Sequence, residues 1–377
     1  MSQSAEQAVL DAHYMARALE LARKGRYTTH PNPRVGCVIV RDGQVVGEGW
    51  HVRAGEPHAE VHALRAAGDL ARGATAYVTL EPCSHHGRTP PCADALVGAG
   101  VARVVAAMQD PNPQVAGRGM GRLAEAGIVV HSGVLEGEAR AINKGFLKRM
   151  EHGLPYVRVK LAMSLDGRTA MASGESQWIT GPAARSAVQR LRAESSVVLT
   201  GADTVLADGA RLTVRAAELG LDAEQTALVM GRPPLRVLVD GRLRVPLDAP
   251  FFKAGPALVA TCVAVEEQYA NGPECLIVPG ADGQVDLRRL LEELAARGVN
   301  EVLVEAGPRL AGAFARQGLV DEYQIFVAGK FLGSSARPLL DWPLEQMSEA
   351  PMLKIIEMRA VGDDWRVTAI PAPSASV

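Results

Sequence analysis

Apolar residues recur along this chain in two rhythms that replace one another. From Ser4 to Lys24 they fall on one side of a helix, at Val9, Ala12, Met15, Ala16, Leu19 and Ala22, with Gly25 as the stop. Val35 to Val40 and Gln44 to Trp50 then read as strands around Arg41-Asp42-Gly43, whose Asp-Gly pair is a hairpin signal. After Pro57 a short helix runs from His58 to Ala67 and ends at Gly68. Ala74 to Leu80 is the next strand, followed by a loop rich in Pro, His and Gly from Glu81 to Pro91 and a second short helix at Cys92. Val101 to Ala107 and Ile128 to His131 are further strands, separated by a helical segment around Gly121 to Ala126. The ββαβαβα order predicts an α/β layered domain, with ligands outside the strand ends and against helix N-termini.

The pattern changes character at His152-Gly153-Leu154-Pro155, which divides the chain into residues 1–152 and 153–377. Beyond it, strands are predicted at Tyr156 to Met163, Val197 to Thr200, Leu235 to Val239, Ala257 to Thr261, Cys275 to Val278, Glu301 to Glu305, Gln324 to Val327 and Trp365 to Ile370. Helices are predicted from Pro182 to Arg192 and from Asp286 to Arg297, the latter capped by Asp286 and stopped by Gly298. The stretch from Ala216 to Pro234 reads as variable, and Pro371 to Val377 as a loose tail. This is a second α/β domain, but no Gly-x-Gly-x-x-Gly follows its first strand, so it is not a Rossmann unit. Its strongest local signal is Glu305-Ala-Gly307-Pro308, a strand ending in Gly-Pro before the segment Arg309 to Ala315. Such a turn either presents free helix N–H groups to phosphate or simply reverses the chain.

Composition sharpens this picture. The 377 residues exceed what one hydrophobic core usually serves, in keeping with two domains. With 40 basic against 42 acidic residues and no dense Lys/Arg block, nothing favours a nucleic-acid partner. The polar, acidic start from Met1 to Gln7 is unlike a signal peptide, and no apolar run reaches the length of a membrane span, so the reading is a cytoplasmic protein. The five cysteines, Cys37, Cys83, Cys92, Cys262 and Cys275, are odd in number and widely spread, which is unlike a disulfide framework. All nine histidines lie between His13 and His152, which assigns metal and proton chemistry to the first half.

Within that half, His58, Glu60, Cys83 and Cys92 stand out, held in His-Ala-Glu and Pro-Cys-x8-Cys. One imidazole and two thiolates suit zinc and leave it one ligand short, the condition of a catalytic rather than a structural site. A carboxylate two residues after the histidine, at a helix start, reaches a water at the open position, takes its proton and delivers it to a leaving amine. His-x-Glu with a later Pro-Cys pair is the signature of zinc nucleobase deaminases. A closed structural site with His62, His85 or His86 as fourth ligand is the alternative.

The segment Tyr77-Val-Thr-Leu-Glu-Pro-Cys83-Ser-His-His-Gly-Arg-Thr-Pro-Pro-Cys92, with Pro31-Asn32-Pro33 and His58-Ala-Glu60, resembles the bifunctional riboflavin-biosynthesis deaminase/reductases. The resemblance covers nearly the whole chain. It implies an N-terminal cytidine-deaminase-like α/β/α domain followed by a dihydrofolate-reductase-like α/β domain. The first, with zinc on His58, Cys83 and Cys92 and Glu60 as the catalytic group, would deaminate 2,5-diamino-6-(5-phosphoribosylamino)pyrimidin-4-one. Asn32, His85 and Arg88 would line its pocket.

The second half carries the resemblance in Val159-Lys160-Leu-Ala-Met-Ser164-Leu-Asp-Gly167, Ser173-Gly-Glu-Ser176-Gln-Trp178-Ile-Thr, Arg192, Thr204-Val-Leu-Ala-Asp208 and Leu212-Thr-Val-Arg215. It implies NADPH reduction of the ribosyl chain of 5-amino-6-(5-phosphoribosylamino)uracil to ribityl. NADPH would meet Ala162, Trp178, Thr204, Asp208 and the turn Gly307, Pro308, Arg309, Leu310, Ala311, Gly312 and Ala313. The substrate would meet Ser176, Arg192, Leu212, Arg215 and Glu305, with Arg192 and Arg215 as a guanidinium clamp on the sugar phosphate. The resemblance further implies small-molecule phosphoribosylaminopyrimidine partners and a homo-oligomer, a dimer or tetramer. The family pattern is departed from at Asp208-Gly209-Ala210, at Asp240-Gly241 and at Arg309, where the extra cation could reach the cofactor's 2′-phosphate. The rival reading is a zinc deaminase whose second half is not catalytic.

Overall fold

The computed structural model describes residues 3–84, 90–113, 115–265, 269 and 272–372. They form two compact units, Met1–Gly153 and Leu154–Val377.

In the first unit the chain runs α1 (Gln3–Arg23), β1 (Gly36–Arg41), β2 (Gln44–Trp50), α2 (Ala59–Ala67), β3 (Thr75–Val78), α3 (Cys92–Ala99), β4 (Arg103–Ala106), α4 (Arg118–Glu125), β5 (Val129–Ser132), α5 (Glu136–Ile142) and α6 (Lys144–His152). The strands make one five-stranded sheet, β2-β1-β3-β4-β5. β1 is antiparallel to both β2 and β3, while β3, β4 and β5 are parallel. Its inner strands β1, β3 and β4 are mostly buried because both faces of the sheet are covered there. Val38 and Val40 join Met15, Leu19 and Phe146 in one cluster, and Cys37 and Ile39 join Ala59, Ala63 and Leu96 in another. The result is an α/β/α sandwich. Helix α2 lies directly on β2: a Cβ added to Gly47 would stand 2.2 Å from the Ala63 carbonyl oxygen, and one on Gly49 would stand 2.4 Å from that of Ala59.

The second unit runs β6 (Tyr156–Ser164), β7 (Arg168–Ala170), α7 (Pro182–Glu194), β8 (Val197–Gly201), α8 (Ala202–Asp208), α9 (Ala223–Met230), β9 (Leu235–Val239), α10 (Pro250–Lys253), β10 (Ala257–Thr261), β11 (Glu274–Ile277), α11 (Leu287–Ala296), β12 (Glu301–Val304), α12 (Pro308–Arg316), β13 (Glu322–Ala328), β14 (Arg337–Pro338), β15 (Leu353–Val361) and β16 (Asp364–Pro371). Its nine-stranded sheet has the order β11-β10-β9-β8-β12-β6-β13-β16-β15. The seven strands from β11 to β13 are mutually parallel, so their C-terminal ends share one rim, and β16 and β15 close the other edge antiparallel. Leu290, Leu294 and Phe314 cover one face over Val159, Leu199 and Val304, while Phe251 and α7 cover the other over Leu238 and Leu303.

The structure differs from the sequence reading chiefly where local signals are weak. Helices α5 and α6 were not predicted, since each is short and mostly polar and is held by burial of Ala139, Phe146 and Leu147 rather than by propensity. The stretch read as variable contains α9, whose N-cap Asp222 accepts a hydrogen bond from the Gln225 amide at 2.7 Å. β15 was also missed: eight of its nine residues are exposed, so it shows no buried face to betray its period.

Candidate functional site

In the first unit three elements deliver the quartet. His58 is the N-cap of α2 and Glu60 lies in its first turn; Cys83 follows β3, and Cys92 opens α3. His58 Nδ1 lies 3.6 Å from Cys83 Sγ and 3.3 Å from Cys92 Sγ, and the Cys92 amide donates to Cys83 Sγ at 3.3 Å. One ligand atom from each of His58, Cys83 and Cys92 lies within 4.8 Å of the others, the one such group among the described residues, and His62 is not part of it. His85, His86 and Arg88 fall outside the described residues.

The electrostatics of this cluster call for a cation. The Cys83 thiol is pulled down to about 4, first by hydrogen bonding to Cys92 and then, against burial, by His58. Cys92 is pushed up in turn, first by Cys83 and then by burial. Two thiolates so close require a positive charge between them, which zinc supplies. Burial likewise raises the Glu60 carboxyl, opposed by His58, and its Oε2 has no hydrogen-bond partner. A carboxylate oxygen without a partner, on a residue only 3% exposed, is costly unless something polar meets it in the working state.

Asn32 is brought to the same region through His51, whose ring lies 5.2 Å from that of His58. His51 Nδ1 faces the Pro57 carbonyl at 3.2 Å and must donate to it, so Nε2 accepts from Asn32 Nδ2 at 3.1 Å. The sequence reading missed Glu81. Its buried carboxylate accepts from the amides of Asp110 (3.2 Å), Gly117 (3.0 Å), Gly119 (2.9 Å) and Met120 (3.2 Å), clamping the loop before α4 beside the Pro82-Cys83 corner. The available signal was a carboxylate at the end of an otherwise apolar strand.

In the second unit the residues singled out gather along the rim of parallel strand ends. Glu305 follows β12 and takes a two-pronged ion pair from Arg192 of α7, at 2.6 and 2.9 Å. Arg192 also donates to the Thr213 carbonyl at 2.8 Å. Burial tends to raise the Glu305 carboxyl, but Arg192 outweighs it and holds the group below its ordinary range. Lys160, to which the sequence reading gave no role, joins this cluster: desolvation pulls its ammonium down, partly opposed by Glu305. A lysine in mid-strand was its visible signal. Arg215 adds its charge to the lowering of Glu305, while its side chain meets Glu218 at 2.7 Å and its amide donates to Gln189 Oε1 at 2.9 Å. The clamp expected from Arg192 and Arg215 is therefore uneven, since three of the five Arg192 donors are engaged within the protein. Leu212 is buried, in a left-handed backbone conformation (φ 53°), and Ser176 is half-buried.

The residues expected to meet the cofactor are placed as follows. Ala162 is on β6, and its carbonyl accepts from Thr169 Oγ1 at 3.1 Å. Gly307, the N-cap of α12, donates its amide to Thr204 Oγ1 at 3.2 Å. Pro308 opens that helix, whose inner face carries buried Ala311 and Gly312 with half-buried Leu310 and Ala313 packed nearby, so the exposed part of the turn is its first residues. Trp178 is 58% exposed with the Arg185 guanidinium 4.6 Å above its ring. Asp208 ends α8, and the first departure, Gly209, provides its left-handed cap (φ 57°). At the second, a Cβ on Gly241 would stand 3.3 Å from Cys262 Sγ, so a larger residue would need room there. The third, Arg309, is exposed and meets Asp203 at 3.3 Å.

Fold and site together define the class: a zinc-dependent deaminase joined in one chain to a reductase unit. A profile described as the cytidine and deoxycytidylate deaminase zinc-binding region matches residues 9–108, and one described as the RibD C-terminal domain matches residues 155–367. The riboflavin biosynthesis protein RibD of Escherichia coli (strain K12) is 56% identical over 359 residues, 94% of this chain and 97% of that protein. Acinetobacter baumannii RibD (form 1) superposes with a TM-score of 0.90 at 47% identity, covering 97% of this chain and 100% of that one. The Thermotoga maritima diaminohydroxyphosphoribosylaminopyrimidine deaminase/5-amino-6-(5-phosphoribosylamino)uracil reductase does so with a TM-score of 0.85 at 33% identity, over 97% and 100%. The chain belongs to the RibD family of bifunctional riboflavin-biosynthesis enzymes, deaminase and reductase in one polypeptide, with Zn2+ and NADPH as cofactors. No helix among the described residues is long and apolar enough to cross a membrane.

Proposed function

We propose that residues 1–152 deaminate 2,5-diamino-6-(5-phosphoribosylamino)pyrimidin-4-one and that residues 153–377 reduce the ribosyl chain of the resulting uracil to ribityl. The observation that carries the first assignment is the meeting of His58, Cys83 and Cys92 beside the partnerless Glu60 Oε2. His58, Cys83 and Cys92 would hold zinc, which would supply the Lewis acidity that makes water nucleophilic near neutral pH. Glu60, its carboxyl raised by burial, accepts a proton from the attacking water and hands it to the departing amine. Asn32, with its amide fixed by His51, directs its carbonyl oxygen toward the pyrimidine. His85 belongs to the same substrate-binding set by resemblance.

In the second unit the first turn of α12, with Ala162, Trp178, Thr204 and Asp208, would hold NADPH, the helix N-terminus being suited to its phosphates. NADPH supplies the hydride. Arg192 holds Glu305 charged and oriented, Lys160 beside them meets the oxygen of the opened sugar, and Arg215 reaches its phosphate with Ser176 and Leu212. The decisive experiment measures zinc content, ammonia release from the diaminopyrimidine, and NADPH oxidation with the deaminated product. Absence of zinc with ammonia release intact would remove the first assignment, and absence of NADPH oxidation would remove the second.

Two coarser readings accompany this one. The protein acts in the cytoplasm on small phosphorylated pyrimidines. It forms a homo-oligomer, a dimer or tetramer, supported by the edge strand β15, which leaves Ile355 and Met358 about as exposed as surface residues, at 60% and 59%.

A further inference from the structure

Residues 171–181, between β7 and α7, belong to no helix or strand, yet they carry Ser176 and Trp178, one expected at the substrate and one at the cofactor. No ladder of backbone bonds fixes such a segment, so its working position depends on the few groups that grip it. It starts with a tight turn, in which the Met171 amide donates to the Glu175 carbonyl at 2.8 Å and the Gly174 amide to that of Met171 at 2.9 Å. At its far end Arg185 of α7 donates to the Thr180 carbonyl at 3.2 Å. Trp178 lies between these two holds, with the Arg185 guanidinium above its ring and more than half of its surface open.

A third hold comes from the loop that leaves β13. β6 and β13 are parallel and paired as far as Ser164 and Ala328, so the segments leaving them run out of the sheet side by side. There the Leu165 amide donates to the Lys330 carbonyl at 2.8 Å. Asp166 accepts from the Ser164 hydroxyl and from the amides of Leu332 at 3.1 Å and Gly333 at 2.8 Å. The Ser164 hydroxyl, with these amides, holds the Asp166 carboxyl down at about 2, so it stays charged and keeps its bonds near neutral pH. The backbone of Lys330 is thereby fixed on both sides, and its ammonium reaches across to donate to the Trp178 carbonyl at 3.0 Å. The run Ser164-Leu-Asp166-Gly167 serves as the base of this bridge.

We propose that Lys330 is a positioning residue of the reductase reaction: by holding the Trp178 carbonyl it keeps the indole where NADPH lies against it, and Asp166 holds Lys330 in turn. The proposal rests on the reading of Trp178 as a cofactor contact. An ammonium donating to a carbonyl makes a charge-assisted bond, stronger than a neutral one, although water at an exposed site offsets much of the gain. Its loss therefore leaves the unit folded but lets the backbone around Trp178 spread over several positions. NADPH must then order the segment itself on binding, and that cost shows as weaker affinity. Hydride transfer in the bound complex, where the segment is ordered again, proceeds nearly as before.

The test combines calorimetric binding of NADPH to the full-length chain with steady-state reduction of 5-amino-6-(5-phosphoribosylamino)uracil, for the wild type, K330M, K330R, W178A and the double variant K330M/W178A. K330M is expected to weaken NADPH binding and raise its KM by about three- to tenfold, with kcat changed by less than about twofold. Its unfolding midpoint and ammonia release should match the wild type. K330R, which keeps a charged donor, should recover most of the affinity. In W178A, adding K330M should cause no further loss, because the indole through which Lys330 acts is gone. Wild-type NADPH affinity in K330M overturns the proposal. So does a K330M whose unfolding midpoint and ammonia release fall along with affinity, a K330R no better than K330M, or a full further loss in the double variant. If W178A itself binds NADPH as the wild type does, the reading of Trp178 as a cofactor contact fails instead.

Discussion

In the first unit the reactive groups come from one short run of chain, His58 to Cys92, folded as a helix start, a strand and a second helix start. In the second the residues proposed to act come mostly from β6, α7, α8, the end of β12 and the start of α12, elements far apart in sequence. The first arrangement concentrates unsatisfied chemistry: thiols in mutual conflict and a carboxylate oxygen with no partner. The second is internally satisfied, with Glu305 paired to Arg192 on both oxygens. A metal site is completed by its ion, whereas a nucleotide site is completed by the protein and then approached by its ligand. The two should therefore respond differently to damage.

The largest effect is expected from C83S, which removes one of three zinc ligands. Zinc content and ammonia release should both fall to background while NADPH oxidation with the deaminated substrate continues; loss of both reactions together would break the contrast. E60Q is expected to retain zinc and to lower the deamination rate by about 10²–10⁴-fold. Near-normal ammonia release would contradict the proton-transfer role. R192M removes both hydrogen bonds to buried Glu305, leaving it only the charges of Lys160 and Arg215, at a cost of ~3–5 kcal/mol, and should appear as a lowered unfolding midpoint together with lost reduction. Stability unchanged with reduction lost would mean that the pair is purely functional.

E81Q tests whether the first unit depends on internal satisfaction outside the quartet. An amide oxygen replaces only one of the two carboxylate oxygens, so two amide donors are stranded, and a destabilisation on the order of 1–3 kcal/mol is expected by denaturant titration. The smallest effect concerns Asp11. Burial raises its carboxyl, but Arg103, Gln7 and Tyr77 together hold it below the ordinary value of 3.8. A depressed folded-state value contributes stability that is complete above the unfolded value and is lost as pH falls through the folded one. Wild type and D11N should therefore differ near neutrality and converge in acid below about pH 3.8. A constant difference across that range would show that the pair acts through packing.

The same contrast governs what could be read from the sequence. The quartet was legible because its spacing is local and its residue types are rare, and the strands of the first sheet because apolar runs such as Cys37 to Val40 stand between turn signals. The Gly307-Pro308 turn was legible as a helix start that could face phosphate, and the resemblance alone made it an expected cofactor turn. Nothing local to Asp166, Trp178 or Lys330 announces that they are linked, because the pairing of β6 with β13 brings their segments together. Glu81 and Lys160 were overlooked for the same reason: each reads as one charge beside a strand until its partners are known. α5, α6 and β15 depend on tertiary context or show no buried face, so their periods are faint.

Gly47 and Gly49 carry no functional group, yet helix α2 rests on their bare backbone. They act as a spacer of zero thickness between the sheet and the helix that bears Glu60. A side chain at Gly49 would work as a shim under the start of α2 and one at Gly47 as a shim under its end, either of them tilting the carboxylate away from the groups it must reach. Substitutional tolerance should therefore be as low at these two chemically silent positions as at the ligands themselves, and the dimension they set is the depth of the active site.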